Sequence, residues 1–299
     1  MMHNIAYALY YGFFKALALL PLPVLYVFSD LIRIVVYNIA GYRKRTVAEN
    51  LEKCFPDKTP EERKKIERDF YRNFCDNLIE TIKLLHISDR EITRRMEFAN
   101  LEAIEQLVDS GKSIIIYFAH TGNWEWAPSI TLHMPADKVV FGQVYRPLRN
   151  KAFDRLMLKI RSRFGSESYP KATVMRNLLL LKRQNKISVT GFMSDQKPSH
   201  GDPAVPLMFL NRPTAFISGT ETLGHKLGFA AVYWDMEKTA RGHYRLTAKV
   251  LSPDMAAEKP QKITMAYALA LQQTILRNPA IWLWTHKRWK IPVSINPLQ

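Results

Sequence analysis

The chain has 299 residues, of which 47% are hydrophobic and 11% aromatic, and this composition excludes an intrinsically disordered protein. Its 43 Lys and Arg residues outnumber its 27 Asp and Glu residues, and the formal charge of +16 indicates an acidic partner. Nucleic acid is the less favoured partner, because the basic residues are spread along the chain without an RNA-recognition motif, zinc-finger spacing or a disordered basic tail. The two cysteines, Cys54 and Cys75, form neither a CxxC motif nor a disulfide framework, so reducing, cytoplasm-facing surroundings are expected.

The first predicted element is a membrane-associated helical segment over residues 1–40. Residues 5–40 contain only three charged side chains, and their first apolar run nearly reaches the roughly 20 residues that span a bilayer. Pro21 and Pro23 favour two helices over one continuous helix. Because no basic stretch precedes the run and no small-x-small site follows it, we expect the segment to be retained. A buried helical hairpin of a soluble protein is the alternative.

A charged region follows the apolar segment. Arg43, Lys44 and Arg45 are placed to contact anionic head groups, which favours a cytoplasmic location for residues 41–299. The pattern then stays helical and charged as far as residue 80, with Thr59 as the expected N-cap of a helix. We predict that most of this region is solvated helix surface.

Helical stretches then alternate with short runs rich in apolar and β-branched residues. This alternation predicts an α/β fold, and with no internal repeat or low-complexity linker it predicts one catalytic domain over residues 41–299. One of the helices, around residues 151–164, is predicted to be amphipathic and basic. The predicted strands are residues 113–119, 139–145, 187–193, 230–234 and 244–250.

The first of these strands ends at a histidine that we predict to be catalytic. His120 is followed by a Thr-Gly-Asn turn and then by Trp124 and Glu125. Residues five apart on one helix lie roughly 140° apart around its axis, but a turn allows the two side chains to meet. A His–carboxylate dyad of this kind would act as a general base on a hydroxyl group. The alternatives are a structural histidine and a zinc ligand, the latter disfavoured because no His or Cys cluster accompanies the pair.

Two further polar residues come directly after predicted strands. Arg146 follows the second strand and Asp195 follows the third, and the carboxyl ends of strands in an α/β sheet form the usual ligand site. Arg146 is a candidate for stabilising an oxyanion or for binding a phosphate in bidentate fashion, and Asp195 for orienting Arg146 or a substrate sugar. A surface arginine and a turn-capping aspartate are the structural alternatives.

Four motifs in order resemble one family of enzymes. These are the secondary acyltransferases of lipid A biosynthesis, the lauroyl and myristoyl transferases, within the wider glycerolipid and lysophospholipid acyltransferase superfamily. The resemblance runs from the N-terminal hydrophobic segment to Lys290. The motifs are HTGNWEW at 120–126, VYRP at 144–147, SDQ at 194–196 and NPAIWLWTHKRWK at 278–290.

The resemblance implies a central mixed β-sheet flanked by helices, with an N-terminal hydrophobic helical membrane anchor. It also implies transfer of a fatty acyl group from acyl carrier protein, or from acyl-CoA, to a hydroxyl of a lipid A precursor, without a cofactor or metal. His120 matches the family's base and Glu125 its partner in the H-x4-[DE] motif, while Arg146 and Asp195 match its conserved arginine and aspartate. The implied location is the inner membrane, with the catalytic domain facing the cytoplasm.

The closing motif contributes three tryptophans, Trp282, Trp284 and Trp289, which we predict to pack and to contact the membrane interface, together with the adjacent His286. The Phe-Pro-Glu-Gly loop that binds glycerol phosphate elsewhere in the superfamily does not occur in the sequence, which disfavours simple glycerol-phosphate acceptors. Two other functions stay open. One is acyl transfer to a lysophospholipid or an amino-acid-derived lipid, and the other is membrane binding by a catalytically silent protein on the same fold.

Overall fold

The computed structural model describes residues 2–134, 138–290 and 293 of the chain. The α-helices are α1 (Met2–Leu19), α2 (Leu22–Arg33), α3 (Lys44–Cys54), α4 (Pro60–Lys83), α5 (Asp89–Arg95), α6 (Leu101–Asp109), α7 (Lys151–Arg161), α8 (Val174–Arg183), α9 (Gly219–Leu227) and α10 (Lys262–Arg277). The strands are β1 (Met96–Ala99), β2 (Ile114–Phe118), β3 (Val139–Tyr145), β4 (Glu167–Pro170), β5 (Ile187–Met193), β6 (Ala204–Phe209), β7 (Arg212–Ile217), β8 (Ala230–Ala240) and β9 (His243–Ser252). A π-helical turn (Ile34–Ile39) extends α2, and 3-10 helices cover Trp124–Leu132, Met255–Ala257 and Pro279–Ile281.

Within the described residues, seven strands form one sheet in the order β1-β9-β8-β2-β5-β3-β4, and β6 and β7 form a separate hairpin. The pairing of β8 with β9 is antiparallel, while the other neighbours in the sheet are parallel. The sheet is therefore mixed, and the α/β fold predicted from the alternation of helices and strands is confirmed.

The centre of the sheet is β2, in which every residue is buried. It pairs with β8 on one side and β5 on the other, so its Ile-Ile-Ile-Tyr-Phe run faces protein on both surfaces. The predicted bounds of β3 and β5 are confirmed residue for residue. The last two predicted strands, by contrast, are longer than expected, because β8 and β9 continue as a hairpin beyond the apolar runs from which they were predicted.

The longest helix, α4, begins as the sequence predicts. The Thr59 side chain accepts a hydrogen bond from the Glu62 amide at 3.2 Å, and the Glu62 carboxylate accepts one from the Thr59 amide at 2.8 Å, which forms a capping box. The prediction that this region is mostly solvated surface is wrong for the second half of the helix. Asp76 and Glu80 are buried there, because α4 lies against the N-terminal helices on one side and contacts Tyr244 of β9 on the other.

The N-terminal segment forms two helices that break at Pro21, as the prolines predict. Their inner face joins the main hydrophobic core through Leu22 and Leu25, and the Lys83 ammonium donates to the carbonyls of Ala18 and Leu20 at 3.0 and 2.9 Å. Such a cation at the carboxyl end of α1 complements the helix dipole.

The outer face of the same segment is apolar and exposed. In the described part of the chain, the 18 residues of Leu22–Ile39 form the one helical stretch that is long and apolar enough to cross a membrane, and only 22% of them are buried. This stretch is a candidate membrane anchor. Exposed apolar side chains on the segment include Leu9, Phe13, Val27, Leu31 and Ile39.

Candidate active site

A cavity of about 640 Å³ opens at the carboxyl ends of β2, β3 and β5, the edge at which the sequence predicts a ligand site. His120, Glu125 and Arg146 line it together with apolar side chains of the surrounding strands. Its volume lies within the roughly 300–1,000 Å³ of small-molecule sites. The apolar side chains include Ile116, Phe118, Phe141, Val189 and Trp234.

The position of His120 follows from the register of the sheet. Phe118 at the end of β2 pairs with Met193 at the end of β5, so the residues two positions further on, His120 and Asp195, emerge side by side. The Nδ1 atom of His120 lies 2.7 Å from the Asp195 carboxylate, and the His120 backbone amide donates to the same carboxylate at 3.1 Å. Since a carboxylate only accepts hydrogen bonds, this contact places the proton of the neutral imidazole on Nδ1.

The second ring nitrogen of His120 is directed differently. Its Nε2 atom lies 3.3 Å from the side-chain amide nitrogen of Gln196, and both residues line the cavity. The indole of Trp124 contacts the imidazole edge to face, with 5.0 Å between the ring centroids. With Nδ1 protonated, Nε2 carries the lone pair that a general base requires.

Asp195 is buried and accepts three hydrogen bonds in total. Besides the two from His120, it accepts one from the indole Nε1 of Trp282 at 2.9 Å. Burial alone would raise the pKa of this carboxyl, but the electrostatic interaction with His120 and the hydrogen bonds from His120 and Trp282 oppose it and lower the pKa to about 2. Asp195 is therefore ionised at neutral pH.

Glu125, the expected partner of His120, is ion-paired elsewhere. Its two carboxylate oxygens accept from Nε and Nη2 of Arg161 on α7, at 2.9 and 2.5 Å. The chain turns sharply after His120 and enters the 3-10 helix at Trp124, which directs the Glu125 side chain toward α7. The carboxylate that contacts the imidazole is thus that of Asp195, whereas Glu125 forms a bidentate pair in the wall of the same cavity.

The turn after His120 is held by α4. The Asn77 side chain donates to the Gly122 carbonyl at 2.6 Å, and Asn123 donates to the Glu80 carboxylate at 2.7 Å. The indole of Trp126 donates to the Glu80 carbonyl at 3.0 Å. Three successive parts of the turn are therefore fixed to one rigid helix.

Glycine is required at the centre of this turn. Gly122 has a φ of +52°, and a Cβ atom there would lie 2.7 Å from Cγ of Met236 on β8. Both the backbone conformation and the space exclude a side chain.

Glu80 connects this turn to the N-terminal helices. Its carboxylate also accepts from the hydroxyls of Tyr26 at 2.8 Å and Tyr244 at 2.9 Å, and its burial raises its pKa. Tyr26 belongs to α2, so one buried carboxylate joins the apolar segment to the turn that follows His120.

Cationic side chains surround the opening of the cavity. Arg146 is exposed, with Nη2 3.4 Å from the Ser199 hydroxyl, and Lys197 is half-buried. Lys171 is neutralised by Asp202 at 2.8 Å. Among the described residues neither Arg146 nor Lys197 forms an ion pair, so both are available to an anionic ligand.

The closing segment of the chain completes the site. Residues Thr121 and Trp282 form an antiparallel bridge, which brings the indole of Trp282 to Asp195. The neighbouring Trp284 is fully buried in the hydrophobic core, and the packing role predicted for these two tryptophans is confirmed. Both indoles are buried in the domain, so their predicted contact with the membrane interface is wrong.

Comparison with known proteins identifies the family. The sequence model of the bacterial lipid A biosynthesis acyltransferase family matches residues 1–291. The chain belongs to this family. The acyltransferase is 24% identical to the lipid A biosynthesis palmitoleoyltransferase of Escherichia coli (strain K12) over 286 residues, which cover 93% of this chain and 89% of that protein. It is 24% identical to the lipid A biosynthesis lauroyltransferase of the same organism over 280 residues, 91% and 87% of the two chains. It is 25% identical to a lipid A biosynthesis acyltransferase of Haemophilus influenzae over 247 residues, 81% and 74% of the two chains.

Three residues of the acyltransferase site were not predicted from the sequence. Arg161 was one of several basic residues on a predicted amphipathic helix, and no pattern distinguished it from its neighbours. Gln196 directly follows the predicted Asp195, and the sequence predicts only packing and membrane contact for His286 in the closing motif. In the folded chain His286 lines the cavity.

Proposed function

We propose that this acyltransferase moves a fatty acyl group from an acyl thioester to a hydroxyl of a lipid A precursor, with His120 as the general base. The observation that carries the proposal is the environment of the imidazole. Nδ1 is held by an ionised, buried Asp195, and Nε2 lies at a cavity whose walls are largely apolar. Such a cavity can bind an acyl chain next to Nε2 of His120, which removes the proton of the acceptor hydroxyl.

The reaction begins when the acceptor hydroxyl attacks the thioester carbonyl and His120 Nε2 takes the hydroxyl proton. A tetrahedral oxyanion forms with four bonds to the former carbonyl carbon. It collapses to the new ester, the carbon–sulfur bond breaks, and the thiolate takes the proton from the imidazolium. Asp195 stabilises the transient imidazolium through its hydrogen bond to Nδ1.

Glu125 and Arg161 are assigned a role in binding the acceptor. Together they form a bidentate ion pair in the wall of the cavity, beside the turn that follows His120. A polar sugar can form hydrogen bonds with Glu125 and Arg161 while the acyl chain lies against the apolar side chains of the cavity. The importance of Glu125 for activity stays a prediction, now with Arg161 rather than His120 as its partner.

The cations at the opening support an anionic donor and an anionic acceptor. Arg146 is positioned to bind a phosphate in bidentate fashion, and Lys197 adds a second charge. The phosphates of acyl carrier protein or acyl-CoA and those of a lipid A precursor share this chemistry. The net charge of +16 favours the acidic carrier protein as a partner.

The exposed apolar face of the N-terminal helices supports attachment to the inner membrane. Arg43, Lys44 and Arg45 follow that face directly and carry charge suited to anionic head groups. We place the catalytic domain on the cytoplasmic side, where acyl thioesters are made.

The experiment compares membrane lipids from cells that lack the protein, cells that express it and cells that express His120→Ala. His86→Ala is the matched control, because His86 is exposed on the surface and does not line the cavity. We expect a lipid A species lacking one acyl chain in the deletion and the His120→Ala strain, with full acylation restored by His86→Ala. Full acylation by His120→Ala would contradict the assigned base, and loss of an acyl group from another lipid would contradict the acceptor.

A further inference from the structure

His286 lies in the closing segment, and the described part of the chain forms a hydrogen bond with only one of its two ring nitrogens. The Asn50 side chain donates to the carbonyls of Trp284 and His286 at 3.1 and 3.4 Å, which fixes the backbone at this point. The imidazole is half-buried and lines the same cavity as His120.

The tautomer of His286 follows from one contact. The backbone amide of Lys197 donates to Nε2 of His286 at 3.2 Å, so Nε2 carries a lone pair and the neutral ring carries its proton on Nδ1. Within the described residues no group accepts a hydrogen bond from this Nδ1. The ring lines the cavity and carries a donor that no described residue uses.

The same contact places His286 near the reacting groups. Lys197 follows Gln196, whose side-chain amide lies 3.3 Å from Nε2 of His120. Two adjacent residues therefore contact the two imidazoles, Gln196 that of His120 and Lys197 that of His286. Both imidazoles line the same cavity.

His286 also stays neutral at the pH of the cell. Burial, assisted by the charge of Arg288 and opposed by that of Asp195, lowers its pKa to about 4. A neutral imidazole keeps its Nδ1 proton and does not compete with His120 for the proton of the acceptor.

We propose that the Nδ1–H of His286 donates a hydrogen bond to the oxyanion that forms on the thioester carbonyl oxygen, an inference that rests on the proposed acyl transfer. Negative charge grows on this oxygen as the acceptor hydroxyl attacks, so a fixed donor stabilises the tetrahedral state more than the bound thioester. Arg146 is less suited to this role, because it is exposed at the opening and is assigned to a phosphate.

Two substitutions separate this role from a structural one. In His286→Asn, the amide nitrogen can occupy the position of Nδ1 and keep a donor in the cavity, while the acceptor for Lys197 is lost. In His286→Gln, the amide oxygen can occupy the position of Nε2 and keep the acceptor for Lys197, while the donor is lost. The two variants therefore test one ring nitrogen each.

The assay measures kcat and KM with lauroyl-CoA and with acylated carrier protein as donors, on underacylated lipid A purified from cells that lack this protein. We expect His286→Gln to lose roughly 10²–10³ in kcat with little change in KM, as for the loss of one oxyanion donor. We expect His286→Asn to retain kcat within about tenfold of the wild type, because its donor remains. Thermal unfolding of both variants checks that each is folded.

If His286→Gln is active and His286→Asn is impaired, the inference is overturned. That result would assign His286 to accepting the hydrogen bond from the Lys197 backbone amide. Equal activity of both variants with the wild type would also overturn the inference. In either case an inactive His120→Ala control leaves the proposed acyl transfer standing. If the wild type itself transfers no acyl group to this acceptor, the proposed function fails instead.

Discussion

Replacing Asp195 by Asn should reverse the tautomer of His120. One carboxylate oxygen of Asp195 accepts from Nδ1 of His120, and the other accepts from the His120 amide and the Trp282 indole. An Asn side chain has one acceptor oxygen, which two N–H groups hold in place, so its amide nitrogen must face Nδ1. Nδ1 then has to accept, and the proton moves to Nε2, where it blocks general-base catalysis.

The expected loss of activity follows from the contact that Asp195→Asn removes, the one between the carboxylate and Nδ1 of His120. Loss of the carboxylate from comparable His–carboxylate pairs lowers kcat roughly 10⁴-fold, which corresponds to about 5 kcal/mol in the activation barrier.

The same carboxylate contributes to the stability of the fold. Its pKa is lowered from 3.8 to about 2, and a shift of this size corresponds to a contribution of about 2 kcal/mol to the free energy of unfolding at neutral pH. Because the pKa is lower in the folded state, this contribution is present above about pH 4 and is lost as the pH falls toward about 2.

The assay is single-turnover acyl transfer by the wild type, Asp195→Asn and Glu125→Gln, with thermal unfolding measured in the same detergent. Glu125→Gln disrupts the Arg161 pair but leaves His120 Nδ1 bonded to Asp195, so the two variants separate the two carboxylates. A rate for Asp195→Asn within about tenfold of the wild type would refute the assignment of Asp195 as the residue that orients His120.

Two further substitutions test the contacts that fix the turn after His120. Gly122→Ala should lower stability by roughly 1–3 kcal/mol and lower activity, because the new Cβ meets Met236 at 2.7 Å. Gly111→Ala is its control, since Gly111 also has a positive φ but open space around it, and equal losses of stability and activity in the two variants would contradict the steric argument. Tyr26→Phe should lower stability by roughly 1–3 kcal/mol, because it removes one donor from the buried Glu80 carboxylate. An unchanged midpoint of chemical unfolding for Tyr26→Phe would show that this hydrogen bond contributes nothing.

The strands that were predicted well lie inside the sheet, with a neighbouring strand on each side. β2, β3 and β5 are internal to the sheet and appear in the sequence as continuous apolar or β-branched runs. β1 and β4 were not predicted, because each is a four-residue strand at an edge. The β6–β7 hairpin was not predicted because Pro206 and Pro213 lie inside its strands, and proline within a run argues against a strand.

The candidate site shows where the sequence falls short. His120, Arg146 and Asp195 follow predicted strands, so the sequence predicts that they lie at one edge of the sheet. It does not predict which of them are in contact. The sequence predicts Glu125 as the partner of His120 because the intervening turn allows the two side chains to meet, whereas Asp195 is 75 residues away along the chain. Only the neighbouring positions of β2 and β5 in the sheet make the distant carboxylate the closer one, and strand order cannot be read from the apolar pattern of either strand.

The two faces of the N-terminal helices have different consequences for preparing the protein. On the inner face, Tyr26 and the carbonyls at the end of α1 are the partners of Glu80 and Lys83, so deleting the segment would leave a buried carboxylate and a buried ammonium without them. Side chains on the outer face, such as Leu9 and Val27, are exposed. A detergent-free form is therefore better sought by polar substitutions at outward positions such as Leu9 and Val27 than by truncation, since solubility and catalytic geometry depend on opposite sides of the same two helices.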